Sequence, residues 1–378
     1  MKSNRTYRAC TRCIMDTIAD SNITFDEAGV CHHCLRYDDM FSTRVVRGKE
    51  GEAILGSLVE KIKVAGKGKE YDCIIGVSGG VDSTYVAYLV KKIGLRPLAV
   101  HLDNGWNSEL AVKNIERVLN NLGIDLFTYV IDWEEFRDLQ VAFLKASTPD
   151  GEIPSDHAIF AVLWREAASR GIKYIISGMN FTTESICVPD WAYGHSDWRY
   201  IKDVHNKFGT RKLRTYPHFS LSYLLYINLL HRIRTVSILN YIDYNKNEVM
   251  RVLTNELGWQ YYGGKHHESV YTRFYQGYVL PKKFNIDKRY GHLSDLINAG
   301  QITREAAVSE MQLPPYPEQQ QAEDLEYVSK KLGLKDGAFD EIMALPCNNF
   351  REYRNSFEFV NWLKSISNHL RGAGLYPR

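Results

Sequence analysis

The chain has 378 residues, of which 44% are hydrophobic and 24% charged, with a net charge of +2. That supplies a large core or two modest ones, and it lacks the basic excess of a dedicated nucleic-acid binder, so no nucleic-acid partner is expected. Residues 1–20 carry no apolar secretory core. The greasiest stretch, 219–230, closes at His231 and Arg232 after roughly a dozen residues, too few to cross a bilayer, so no transmembrane segment is expected and the cytoplasm is the expected compartment.

Residues 1–40 form a small cysteine-rich unit. Cys10-x2-Cys13 and Cys31-x2-Cys34 are separated by 17 residues, the spacing of a four-thiolate structural zinc site. His32 and His33 lie inside the second pair and read as bystanders. The other cysteines, Cys73, Cys187 and Cys347, are scattered and suggest no disulfide in a reducing compartment. Residues 41–70 read as a helix, with apolar positions at Ile54, Leu58 and Ile62, and a linker.

From residue 71 to 190 the texture is strand–helix alternation. Strands are predicted at 71–77, 96–102, 126–131 and 174–177, with helices at 83–93, 111–122 and 156–170. That order implies an α/β fold with a parallel sheet covered on both faces, and ligands outside the carboxyl ends of its strands. Residues 191–378 read as a mainly helical substrate or partner region. Within it, 199–216 is basic against one acid, Asp203, and reads as an exposed face or a seat for a sugar carboxylate or diphosphate. The stretch 219–230 reads as core, as a face between copies in a homo-oligomer, or as a docking surface.

The sharpest motif is Ser78-Gly79-Gly80-Val81-Asp82-Ser83, directly after the strand ending at Val77. Strand, glycine turn and helix aim backbone N–H groups at an anion. Ser78 and Ser83 add hydroxyls. Asp82 repels phosphate and makes sense as a magnesium ligand or a helix cap. The loop lacks the Walker A pattern. It resembles the PP-loop of the ATP pyrophosphatase superfamily, which includes asparagine, GMP, NAD and argininosuccinate synthetases and tRNA thiolases. That resemblance implies ATP and Mg2+, a loop gripping the pyrophosphate end, and AMP and pyrophosphate as products. Val100, Asp103 and Asn104, at the end of the second strand, then fall where related enzymes hold adenosine. Gly178 ends the fourth strand, and Glu184 is a further magnesium-ligand candidate.

Two classes compete: an amidating ligase, and a PP-loop tRNA thiolase. The thiolase needs cysteines near the loop, and 154–160 contains none. The distal stretch Gly263-Gly264-Lys265-His266-His267-Glu268, continuing to Lys282, Lys283, Lys288 and Arg289, joins the paired cysteines, SGGVDS, HLDNGW and SGMN in resembling the N-acetyl sugar amidotransferases of surface-polysaccharide (lipopolysaccharide O-antigen) biosynthesis. The resemblance implies conversion of a sugar acetamido group to an acetamidino group through an O-adenylyl imidate. The sugar would be a nucleotide sugar or a nonulosonic acid. In that chemistry Lys265, Lys282, Lys283, Lys288 and Arg289 would neutralise phosphates, and His266, His267 and Glu268 would move the ammonia proton. No glutaminase nucleophile is recognisable, so ammonia is expected from partner glutaminase and cyclase-like subunits.

Overall fold

A computed structural model describes residues 6–372. Its centre is one parallel sheet in the order β3-β2-β1-β4-β5: β1 (Cys73–Gly76), β2 (Pro97–Asp103), β3 (Asp125–Val130), β4 (Tyr174–Ser177) and β5 (Arg234–Ser237). Successive residues of a strand face opposite sides, and the core divides accordingly. Ile74, Leu98, Val100 and Ile175 pack with Phe136, Leu139 and Val162 on one face. Cys73, Ile75, Ala99 and Ile176 pack with Val86, Val90, Leu119 and Leu253 on the other.

The helices follow from local signals. α1 (His32–Arg44) closes the cysteine-rich unit and α2 (Gly48–Gly66) leads to the sheet. α3 (Val81–Lys92) follows β1. α4 (Glu109–Leu122) starts where the Ser108 side chain accepts from the Ala111 N–H and stops at left-handed Gly123. α5 (Trp133–Ala146) is capped by Asp132, and α6 (Ile153–Ser169) has Pro154 in its first turn. α7 (Trp198–Phe208) precedes β5, as does α8 (Leu221–Tyr226), which widens into a π-turn at Ile227–His231. Then come α9 (Lys246–Leu257) and α10 (Val270–Phe274), the latter continuing as a π-helix through Tyr275–Phe284 with Pro281 inside it. α11 (Arg289–Asn298), α12 (Arg304–Met311), α13 (Glu318–Leu332), α14 (Ala338–Ala344) and α15 (Phe357–Gly372) complete the chain.

From β1 the chain moves outward through β2 and β3, then returns to place β4 on the other side of β1. This reversal opens a crevice outside the carboxyl ends of β1 and β4.

Two elements differ from the sequence expectation. α5 falls between the third expected strand and the next expected helix, where none is predicted. β5 lies in the region expected to be mainly helical, pairing with β4 from Tyr174↔Arg234 to Ser177↔Ser237. Its Arg-Thr-Val-Ser sequence lies on a sheet edge, which demands no continuous apolar run. The expected strand at 71–77 is trimmed to 73–76, because Tyr71 and Asp72 make other contacts.

The cysteine-rich unit docks on the far end of the chain. Ile14 packs with Leu293 and Ala307. Arg304 donates to the backbone carbonyls of Cys13 at 3.1 Å and Cys10 at 3.4 Å. In the 219–230 stretch, Phe219 and Ile227 are buried while Leu225, Leu229 and Leu230 are exposed. Among the described residues, no helix is long and apolar enough to cross a membrane.

Candidate active site

Gly79 adopts φ +81, and a Cβ there would sit 2.7 Å from the Ala111 carbonyl oxygen, so only glycine makes this turn. The turn sets the Ser78 and Ser83 hydroxyls 3.1 Å apart, and the Gly80 N–H donates to Ser78 Oγ at 3.3 Å. The Val81 N–H, at the start of α3, donates to the Tyr262 hydroxyl at 3.2 Å. Trp259 Nε1–H holds the loop from behind, donating to the Gly79 carbonyl at 3.0 Å. At the end of β4, a Cβ on Gly178 would lie 3.1 Å from Ser83 N, so glycine lets β4 approach the first turn of α3. These groups border one side of a cleft of about 460 Å³, where the fold's reversal requires one.

Acid and base alternate across this cleft. Asp82 accepts a short hydrogen bond from Tyr244. Burial, with Glu184 as a neighbouring charge, raises its carboxyl to about 6. Burial would raise Glu184 as well, but the charges of Lys265 and His266 hold it below the ordinary range. Lys265 reaches Glu184 at 3.3 Å, the Thr183 carbonyl at 3.3 Å and His292 Nδ1 at 3.1 Å. Burial and Lys265 keep His292 far below the usual imidazole range. Its Nδ1 accepts from Lys265, so Nε2 carries the proton, and that buried Nε2 has no partner.

Residues 263–268 form a strap over the loop. Gly263 (φ +96) and His266 (φ +62) both take left-handed backbone. The strap's end is tied down by Ser108 N–H donating to the Glu268 carbonyl at 2.8 Å and by Val270 N–H donating to the Trp106 carbonyl at 2.9 Å. Glu268 Oε1 comes within 3.0 Å of where a Gly80 Cβ would be, so its carboxylate lies against the glycine turn. Its Oε2 is buried without a partner. His266 Nδ1 stands 3.7 Å from Glu268 Oε1. His267 packs edge-on to Tyr316 and is lowered to about 4, by burial and then by Arg273.

The cleft brings together Ser78, Gly80, Val81, Asp82, Ser83, Gly178, Glu184 and the 265–268 residues, with Lys288 and Arg289 on its wall. Arg289 is committed to Asp287 at 2.7 Å and to the Leu313 carbonyl at 2.9 Å. Other sequence candidates lie elsewhere. Lys282 sits 3.8 Å over the Tyr278 ring. Lys283 donates to the Ile342 and Leu345 carbonyls at 2.6 and 2.8 Å, where a cation suits the carboxyl end of α14. The π-helix carrying both lysines turns them from the loop, which corrects their assignment to phosphate. The Val100 side chain is buried in the sheet. Asp103 accepts from the Gly105 N–H at 2.9 Å, and Asn104 donates to Ser155 Oγ at 3.2 Å. None of these three lines the cleft among the described residues. The basic 199–214 stretch faces α5 instead: Arg211 pairs with Glu134 at 2.8 Å, and Glu135 accepts from the backbone of Arg214 and Tyr216. Tyr244, Lys246, Tyr262 and His292 enter the site without any signal of spacing in the sequence.

The four sulfurs of Cys10, Cys13, Cys31 and Cys34 are buried within 4.8 Å of one another. Cys10 Sγ accepts N–H bonds from Arg12 and Cys13 at 3.4 Å each and from Cys31 at 3.2 Å. Such outer hydrogen bonds stabilise metal-bound thiolates, and the set fits a closed structural zinc site. His33 is turned away, 2.8 Å from Asp20.

Two family models match the chain. Residues 52–146 match NAD synthase, and residues 268–364 match the C-terminal domain of LPS biosynthesis proteins described as WbpG-like. The match at 52–146, with the loop that follows β1, supports a PP-loop ATP pyrophosphatase-like unit. Curated relatives match part of the chain. A glutamine-hydrolyzing GMP synthase of Pyrobaculum aerophilum is 31% identical over 134 residues, 35% of this chain and 24% of that one. A tRNA(Ile)-lysidine synthase of Chlamydia pneumoniae is 36% identical over 67 residues, 17% of this chain and 21% of that one. The tRNA-specific 2-thiouridylase MnmA of Clostridioides difficile is 30% identical over 123 residues, 28% of this chain and 34% of that one. The chain thus spans no more than about a third of the length of these three relatives. An NMN synthetase structure from Francisella tularensis is 14% identical, covering 80% of this chain and 98% of that one at a TM-score of 0.38, too loose to bear on the chemistry of the PP-loop here.

Proposed function

We propose that the chain is an AMP-forming amidotransferase that converts the acetamido group of a nucleotide sugar or nonulosonic acid to an acetamidino group in lipopolysaccharide O-antigen or related surface-glycan synthesis. The observation that supports this reading is the make-up of the cleft. One wall is the PP-loop. The other begins the segment that matches the LPS-biosynthesis domain, with Glu268 lying against Gly80.

An amide oxygen is a poor leaving group. Attack by that oxygen on the α-phosphate of ATP forms a C–O–P link and releases pyrophosphate. The N–H groups of the loop and the Ser78 and Ser83 hydroxyls would grip the departing pyrophosphate. Asp82 and Glu184 are the residues that would hold Mg2+, which neutralises phosphate charge when bound. Lys265 and Lys246, both lining the cleft, offset the same charge. Ammonia then adds to the imidate carbon and AMP leaves. In this reading ammonia comes from separate glutaminase and cyclase-like subunits, and exposed Leu225, Leu229 and Leu230 offer an apolar face to them. The thiolase alternative has less support: no cysteine lines the cleft among the described residues.

Mass spectrometry of acetamido sugars incubated with the chain, ATP, Mg2+ and ammonium tests this. An oxygen exchanged for NH, with AMP and pyrophosphate as co-products, is expected. ADP as the nucleotide product rejects it.

A further inference from the structure

Glu268 stands against the glycine turn, where a bound phosphate would least tolerate a carboxylate. Its Oε1 lies 3.0 Å from the position of a Cβ on Gly80, and Ser78 Oγ and the Tyr262 hydroxyl lie 3.1 and 3.3 Å from the same point. Tyr262 accepts from the Val81 N–H at 3.2 Å, which leaves its own proton free to donate. A phosphate oxygen taken by these two hydroxyls therefore meets a carboxylate. Like charges repel, and more strongly in a half-buried site than in bulk water.

This carboxylate is also the least compensated acid of the cleft. Its side chain is 13% exposed, and Oε2 is buried without a hydrogen-bond partner. Among the described residues no lysine or arginine pairs with it. Its neighbour is His266, whose Nδ1 stays 3.7 Å from Oε1. The other acids lining the cleft are Asp82, Glu184, Asp287 and Glu310. Asp82 accepts from Tyr244, Glu184 pairs with Lys265 at 3.3 Å, and Asp287 pairs with Arg289 at 2.7 Å. Glu310 is open to solvent. Buried charges are paired or they coordinate metal, and Glu268 has no such pair.

One ion does not serve every carboxylate beside the loop. Asp82 and Glu184 belong to the β4 side, where Gly178 approaches the first turn of α3. Glu268 belongs to the β2 side. The Ser108 N–H, at the start of α4, donates to its carbonyl at 2.8 Å, and Asn107 bridges to Ser269. Among the described residues, the oxygens of Asp82, Glu184 and Glu268 do not gather within 4.8 Å of one another. Mg2+ needs no larger protein cage than one or two carboxylates, provided substrate phosphates complete its shell.

We propose that Glu268 holds a second divalent cation, separate from the Mg2+ of Asp82 and Glu184, and shares it with the phosphates of the nucleotide. The proposal rests on the ATP-binding part of the reading above and is independent of the sugar. The ion turns a repelling carboxylate into a bridge. Because Glu268 ends the 263–268 strap, the same bridge latches the strap over the bound nucleotide. Glu268 then serves the phosphates rather than the ammonia proton.

Equilibrium dialysis and electron paramagnetic resonance of Mn2+, with non-hydrolysable α,β-methylene-ATP and the full chain, count the ions held per bound nucleotide. The wild type should hold two and Glu268→Gln one. Glu268→Asp keeps the charge on a shorter arm and should hold two, the second more weakly. Calorimetry adds a test of sign. With Mg2+, Glu268→Gln should weaken nucleotide binding about tenfold or more, because the bridge is lost. In excess EDTA the same variant should bind the nucleotide more tightly than wild type, because a repelling charge is gone. A purely structural role would weaken both. The assignment is overturned by one ion in the wild type, by two in Glu268→Gln, or by Glu268→Gln shifting affinity in the same direction with and without metal. Should the wild type bind no nucleotide in either condition, the ATP reading fails and this assignment falls with it.

Discussion

The Tyr244 hydroxyl donates its hydrogen bond to the carboxylate of Asp82, tying the turn that leads into α9 to the first turn of α3 at the edge of the PP-loop. A hydrogen bond to the ionised form favours ionisation, whereas burial opposes it. The balance leaves Asp82 at about 6. Mg2+–ATP affinity should therefore hold above that pH and weaken below it, as the carboxylate is protonated. Tyr244→Phe removes the favourable bond, worth about 1.5 kcal/mol, and should move the acid limb up by about one pH unit. Calorimetric titration of Mg2+–ATP between about pH 5 and about pH 8 measures the shift. Asp82→Asn should cut turnover by about 100- to 1000-fold.

Lys265 bridges Glu184 and His292. Lys265→Met should raise the His292 imidazole, because Lys265 is the largest charge depressing it after burial. It should also raise Glu184, which loses the cation that holds it down. In proton NMR the His292 ring should stay neutral at about pH 6 in the wild type and begin to titrate in the variant. An unchanged titration would show that burial alone sets it. Pyrophosphate release should fall about 100-fold.

Away from the chemistry, Arg273 on α10 and Asp324 on α13 pair at 2.7 Å with side chains only 11% and 7% exposed. Asp324→Ala strands a buried guanidinium and should cost about 3–5 kcal/mol of stability, read from the denaturant midpoint. Replacing both residues with apolar groups of similar volume should recover much of that loss.

One zinc per chain is expected by elemental analysis, bound by Cys10, Cys13, Cys31 and Cys34. A Cys10→Ala/Cys31→Ala variant that folds normally and lacks metal would contradict a structural role. Arg304→Ala keeps all four sulfurs, so it should retain zinc while loosening the unit from α12. Limited proteolysis near residues 14–20 would detect this.

How much of this was legible depended on how local each feature is. The PP-loop could be read because strand, glycine turn and helix start are contiguous. The cysteine site could be read because its ligands span 25 residues, Cys10 to Cys34. β1, β2 and β4 showed as apolar runs because they lie inside the sheet with both faces covered. Of the two edge strands, β3 (Asp125–Val130) still carries Leu, Phe, Tyr and Val, whereas β5, Arg-Thr-Val-Ser, does not carry an apolar run. Tyr244, Lys246 and His292 were invisible for another reason: they reach the loop from more than 160 positions away, and a lone tyrosine, lysine or histidine in helical sequence looks like any other. Lys282 and Lys283 misled in the opposite direction. They follow the strap closely in sequence, but the π-helix around Pro281 points them at Tyr278 and α14.

The contacts of Arg304 with the carbonyls of Cys10 and Cys13 span 294 and 291 positions. On a translating ribosome, the cysteine-rich unit would wait roughly 15–60 s for its arginine, at about 5–20 residues per second. During that interval the small unit has little apolar surface of its own to bury and no docking site. Metal is what would keep it ordered, because binding a structural zinc is itself folding free energy. Zinc supply during synthesis, rather than afterwards, should therefore govern the yield of native protein: late addition would find Ile14 and its neighbours already exposed to misassociation.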